Sequence, residues 1–144
     1  MHTTQSIDYA EAKRIIDAIV GRVQQTGKNG VIAVTDPHGE LIAFARMDGA
    51  PVSSIPIAMN KAYTAARERT SSEEIGKRAR HPQKGFEIGY FGDPRFVGWG
   101  GGVPVWRGGA VVGAVAVSGL PEEEDITLAT FGAGLVSGLE VARD

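Results

Sequence analysis

The residue pattern predicts an α+β fold, an antiparallel sheet flanked by helices in the order α-β-β-α-α-β-β-(β)-α. Three observations carry that expectation. Two pairs of short β-favouring runs are each joined by a tight-turn sequence. Helical stripes stand before, between and after those pairs, without the alternating βα units that a doubly wound parallel sheet needs. A length of 144 residues is enough to bury one core but not two, so 1–144 reads as a single domain.

The first helix opens at Asp8, which with Glu11 has the spacing of a capping box, each side chain satisfying an orphan amide at the helix start. Ala12, Ile15, Ile16, Ile19 and Val23 follow on one stripe that ends before Gly27 and Gly30. Val31–Thr35 and Leu41–Met47 then form a β-hairpin across Asp36-Pro37-His38-Gly39, where proline presets φ and glycine takes the exit position. Asp48-Gly49-Ala50-Pro51 stops the second strand. Ser53 or Ser54 is placed to cap a second helix, to Arg69, that accepts Pro56 in its first turn. Its face Ile55, Ala58, Met59, Ala62 and Ala66 is mostly small, which suits close packing on a sheet or a partner helix. Ser71 with Glu74 repeats the capping spacing for a third helix to about Arg80, ended near Pro82.

From His81 to Trp99 no period is clear. Phe86, Tyr90, Phe91 and Phe96 alternate there with glycine and proline over a length beyond the ~12–15 residues of ordinary loops, and long structured loops are often functional. A further short strand is expected near Phe96. Gly101–Trp106 and Ala110–Ser118 flank Arg107-Gly108-Gly109 as a second hairpin, with glycine supplying positive φ. Pro121 to Ala142 is expected as the final helix, its first turn acidic at Glu122–Asp125 in keeping with the helix dipole. This helix carries two apolar stripes, Ile126-Ala129-Ala133-Val136 and Leu128-Phe131-Leu135-Leu139, more than the single face a helix covering one sheet needs. With Gly134 and Gly138 as points of close approach, the stripes predict a homo-oligomer, a dimer or larger, built partly through this helix and the second one.

Composition narrows the function classes. The net charge is −2, with 15 Lys and Arg against 17 Asp and Glu, so there is no electrostatic footprint for nucleic acid or an anionic membrane. Cysteine is absent, which removes disulfides, thiolate metal sites and a cysteine nucleophile. No apolar run approaches the ~18–20 residues of a membrane span, and Met1–Ser6 lacks the basic-then-apolar order of a secretory signal, so a cytoplasmic location is expected. The three histidines, His2, His38 and His81, show no metal-ligand spacing, and no metal site is expected.

Five separated segments together resemble the GlcG/HbpS family of haem-degrading-domain proteins. They are Asp36-Pro37-His38-Gly39, Arg46-Met47-Asp48-Gly49-Ala50, Lys61-Ala62-Tyr63-Thr64-Ala65, Gly101-Gly102-Val103-Pro104-Val105, and Gly113-Ala114-Val115-Ala116-Val117-Ser118-Gly119 before acidic residues. Each is short, but their order and spacing span nearly the whole chain. The resemblance implies a profilin-like antiparallel sheet flanked by helices, a homo-oligomer and a small-ligand site. Its members include haem binders and domains attached to corrinoid adenosyltransferases, so haem is the named ligand candidate. The segment Leu120-Pro121-Glu122-Glu123-Glu124-Asp125 is acidic and free of histidine, from which weak or non-specific haem binding is expected.

The candidate ligand-binding residues are Arg46, Asp48, Lys61, Gly100, Gly101 and Gly102. Gly98-Trp99-Gly100-Gly101-Gly102 is a glycine-dense entry to a strand, where backbone amides approach a carboxylate or phosphate closely or the chain simply bends. No Lys-Ser/Thr follows it, so it is not a nucleotide P-loop. Arg46 and Asp48 end a strand and Lys61 borders the second helix's apolar face, a placement that brings cations to one sheet end for an anionic ligand, or pairs them with nearby carboxylates at the surface. Glu124 and Asp125 are weaker candidates by position in the family. The aromatic loop residues either line an apolar pocket or anchor the loop to the core. The leading function is binding of a small anionic or planar organic molecule. The alternative is an enzyme, an isomerase, hydratase or lyase on a small hydroxy or keto acid, with Lys61 or His81 as general acid or base.

Overall fold

The computed structural model describes residues 1–137 and shows four strands and four α-helices. Helix α1 (Tyr9–Gln25) is followed by strands β1 (Val31–Thr35) and β2 (Leu41–Arg46), helices α2 (Ser54–Glu68) and α3 (Ser72–Ala79), strands β3 (Gly102–Arg107) and β4 (Ala110–Ser118), and helix α4 (Glu122–Gly134). The strands form one antiparallel sheet in the order β2-β1-β4-β3. The α+β class and the element order are those expected.

Alternation along the two central strands builds three layers. Ile32, Val34, Val115 and Val117 face one way and join the stripe of α1 with Ala129 and Ala133 of α4. Val31, Ala33, Ala114 and Ala116 face the other way and meet Ala58, Ala62, Ala65 and Ala66 of α2. Alanine against alanine brings α2 onto the sheet more closely than branched side chains would allow, and dispersion contacts accumulate with that proximity. The Asp8–Glu11 capping box is present in both directions, and the Ser71 side chain accepts from the Glu74 amide. Gly108 and Gly109, with φ of +59° and +80°, turn β3 into β4, the two positive values that a tight hairpin turn demands.

Three expectations are corrected. No strand forms near Phe96: a short 3-10 helix, Ile88–Phe91, is followed by turns. The backbone donors that would feed a ladder go to side chains, Arg95 N–H to Asp93 and Val97 N–H to the Thr64 hydroxyl. The last helix ends at Gly134, short of the expected Ala142, and Gly138 and Leu139 lie outside the described residues. Gly134 faces open space; the close approach occurs at Gly132, where a Cβ would stand 2.6 Å from Ile19 Cδ1 of α1. The second stripe also finds cover within the subunit. Leu128, Phe131 and Leu135 pack part-buried against the same core as α1, and the Arg22 guanidinium lies 3.5 Å from the Phe131 ring centroid.

Most of the loop aromatics anchor the loop. Phe91 stacks on Phe96 at 4.3 Å, and Phe96 meets the buried ring of Tyr63 edge-on at 5.5 Å. The Tyr63 hydroxyl donates to Asp93 and accepts from Arg95. Donation from Tyr63, then from the Arg95 amide, holds the Asp93 carboxyl down to about 2, while burial and this hydrogen bond push Tyr63 up.

A buried charge pair beneath an open cavity

The β4 exit, the start of α4, the start of α2 and the glycine-rich entry to β3 converge at one end of the sheet. Lys61 stands in the middle of α2, on its closely packed face, and is only 3% exposed. Its ammonium donates to the Val117 carbonyl at 3.0 Å and to Asp125 Oδ2 at 3.2 Å. Asp125, in the first turn of α4, is equally buried at 3% and also accepts the Leu120 amide on Oδ1. Burial raises the Asp125 carboxyl to about 6, against the opposing pull of the Lys61 charge and its hydrogen bond. Helices from opposite layers are thus tied together by one ion pair around the sheet's end.

The glycines make this geometry possible. Gly101 has φ of +124°, and a Cβ there would stand 2.6 Å from the Val117 carbonyl oxygen and 2.8 Å from Lys61 Nζ. At Gly102 a Cβ would overlap the Lys61 main-chain carbonyl. The Gly102 amide donates to Ser72 of α3 at 2.9 Å, while the Gly101 carbonyl accepts the Val117 amide at 3.0 Å. Gly100 donates to Glu122 Oε2 at 2.6 Å.

Above the pair lies an open cavity of about 390 Å3. Lys61 and Asp125 form part of its lining, with Glu122 and Gly100 beside them. Pro51, Ile57 and Leu120 supply apolar wall, and Trp99 stands at the edge. Ser53, Ser54 and Ser118 complete the polar lining; Ser54 and Ser118 are buried, at 5% and 4%, and neither of these two hydroxyls has a protein hydrogen-bond partner among the described residues.

The structure brings Lys61, Gly100, Gly101 and Gly102 together: Gly100 lines the cavity, and the other two make room for Lys61. Arg46 and Asp48 are exposed and outside the lining. Arg46 shares the sheet end, since Arg46 and Ser118 both pair with Val31, but it lies two strand spacings away, roughly 9–10 Å. His81 is exposed on another surface, where its Nδ1 accepts the Gln83 and Lys84 amides. Glu124 pairs with Lys28 at the surface. Residue-type reasoning missed Ser54 and Ser118. Ser118 carried a readable signal: a hydroxyl closing the apolar run Ala110–Val117.

Fold and site define a small antiparallel-sheet α+β domain with a ligand-sized cavity where its helix layers meet. The chain belongs to the HbpS-like family, whose model, described as haem degrading protein HbpS-like, matches residues 7–134. Protein GlcG of Escherichia coli K12 is 31% identical over 118 residues, 82% of this chain and 85% of that one. The corrinoid adenosyltransferase PduO of Salmonella typhimurium is 27% identical over 88% of this chain, which spans 38% of PduO. Among solved structures, Klebsiella pneumoniae protein ORFY superposes with a TM-score of 0.85 at 31% identity, covering 93% of this chain and 92% of that one. A PduOC–haem complex superposes with a TM-score of 0.83 at 26% identity, covering 91% and 95%.

Proposed function

We propose that the chain binds a small organic molecule in the cavity above the Lys61–Asp125 pair, and that this molecule presents a carboxylate or carbonyl oxygen to Lys61. The observation that carries this reading is the hydrogen-bond inventory of the lining. Asp125 already accepts on both oxygens and Glu122 accepts from Gly100 on Oε2, so one carboxylate oxygen, Glu122 Oε1, is left to accept against three groups left to donate, the Ser54 and Ser118 hydroxyls and one Lys61 N–H. A surplus of donors calls for an acceptor-bearing ligand. Gly101 and Gly102 serve the site by seating Lys61, while Arg46 and Asp48 would act only as an outer charged rim at the same sheet end. Native mass spectrometry of freshly purified protein tests the reading: a retained small organic acid is expected, lost in Lys61→Met. Retention of the same molecule by that variant would reject it.

Haem is a ligand of the PduOC relative. The cavity of this chain does not fit it as an axially ligated group, because its lining contains no histidine, methionine or tyrosine. A haem titration followed in the Soret band is expected to give a broad, unsaturated spectrum. A sharp endpoint at one haem per subunit, abolished by His81→Ala, would overturn this expectation. Turnover is the second reading, favoured by the Asp125 carboxyl, whose titration near 6 beside an ammonium suits proton transfer to a hydroxy or keto acid. We also infer a homo-oligomer, supported by large apolar residues left exposed away from the cavity, among them Val52 at 71% and Tyr9 at 62%. Light scattering after size exclusion should return a mass of at least twice the 15.2 kDa subunit.

A further inference from the structure

Trp99 is out of keeping with its surroundings. The residue is 58% exposed and its indole makes no ring contact or hydrogen bond among the described residues, although it sits at the edge of the cavity. An indole is among the side chains that gain most from burial, so leaving one uncovered forgoes a large stabilisation. The backbone on either side is held closely. A Cβ at Gly98 would stand 2.8 Å from the Gly76 Cα of α3, and one at Gly100 would stand 2.6 Å from Ile126 Cδ1 of α4. The Gly100 amide is tied to Glu122 and the Gly101 carbonyl to the Val117 amide. Two glycines thus let the segment wedge between α3 and α4, and the tryptophan between them projects from a fixed platform.

We propose that Trp99 is the specificity-determining residue of the cavity, an aromatic platform that selects a planar one- or two-ring organic acid by stacking on its ring while the acid group meets Lys61 and the two serine hydroxyls. This deepens the small-ligand reading and rests on it. The cavity volume of about 390 Å3 is near the lower end of the ~300–1,000 Å3 of ligand pockets, a size for one or two rings and not for a tetrapyrrole. The apolar wall of Pro51, Ile57 and Leu120 suits a ring, and the donor surplus suits a carboxylate. Both halves of the ligand are therefore matched by separate parts of one lining.

The chain has two tryptophans, so a Trp106→Phe background leaves Trp99 as the sole indole reporter. In that background, benzoate and 2-naphthoate should bind saturably and quench or shift the Trp99 emission, while cyclohexanecarboxylate, similar in size and charge but not flat, should bind roughly tenfold more weakly. In the wild-type chain, calorimetry should show Trp99→Leu losing roughly tenfold in 2-naphthoate affinity and Trp99→Phe retaining most of it. Equal binding of benzoate and cyclohexanecarboxylate, with Trp99→Leu unchanged and Lys61→Met abolishing both, would overturn the stacking role and leave the small-acid reading standing. Failure of every acid, flat or not, to saturate the folded protein would overturn both.

Discussion

Gly102→Val is expected to destabilise the protein by roughly 3–5 kcal/mol, the largest effect of any single change at the sheet end. The β-carbon would overlap the Lys61 carbonyl, which is helix backbone and cannot swing aside as a side chain does. Relief requires moving β3 away from α2, which would break the Gly102 amide's bond to Ser72 and open the alanine-lined contact between α2 and the sheet. Urea unfolding monitored by circular dichroism reads the loss. A valine at Gly108, in the exposed turn with no atom within 4 Å of its Cβ position, is the control; its penalty comes from φ of +59° alone and should be much smaller.

Lys61→Met should cost about 3 kcal/mol at pH 8, and the loss should shrink as the pH falls toward 5. The substitution keeps the packing of the lysine stem but leaves Asp125 buried without its cation. Asp125 already titrates at about 6 in the folded chain, above the ~3.9 of an unfolded aspartate. Its contribution to stability is therefore fully present below pH ~4 and lost as pH rises through about 6. Removing Lys61 takes away the charge that restrains this rise, so the folded carboxyl holds its proton to higher pH and the wild-type advantage grows with alkalinity. Thermal unfolding of both proteins across pH 5–8 checks the sign; a constant difference would mean that Asp125 titrates alike with and without Lys61.

The sequence made the framework readable because its signals were local. The Asp8–Glu11 box, the stripe from Ala12 to Val23 and the two turn sequences each depend on residues within a few positions of one another. Lys61 and Gly100 to Gly102 were marked as site residues, and the structure does bring them together. What stayed hidden was long-range. That Lys61 reaches Asp125 depends on how far α2 settles onto the sheet, a distance set by alanines on three elements. That Arg46 stays two strands away from the cavity follows from the strand order, which hairpin chemistry alone leaves undetermined. Serine before a helix usually caps it, which leaves Ser53 and Ser54 as alternative caps in the sequence; Ser53 takes the cap position, without a side-chain bond, and Ser54 is buried in the cavity wall beside it. The aromatic loop divides in two, with Phe91 and Phe96 anchored on Tyr63 and Trp99 at the edge of the cavity.

The ion pair that ties α2 to α4 around the end of the sheet makes the floor of the cavity a mechanical strut as well as the recognition surface we propose. A molecule seated on Lys61 would brace the same two layers that the pair holds, so occupancy and resistance to heat should rise together. By mass action a ligand at a hundred times its dissociation constant adds about 2.7 kcal/mol to the folded state. Melting temperature then becomes a search instrument: a library of small acids can be sorted by how far each one delays unfolding, before any chemistry is assigned to the site.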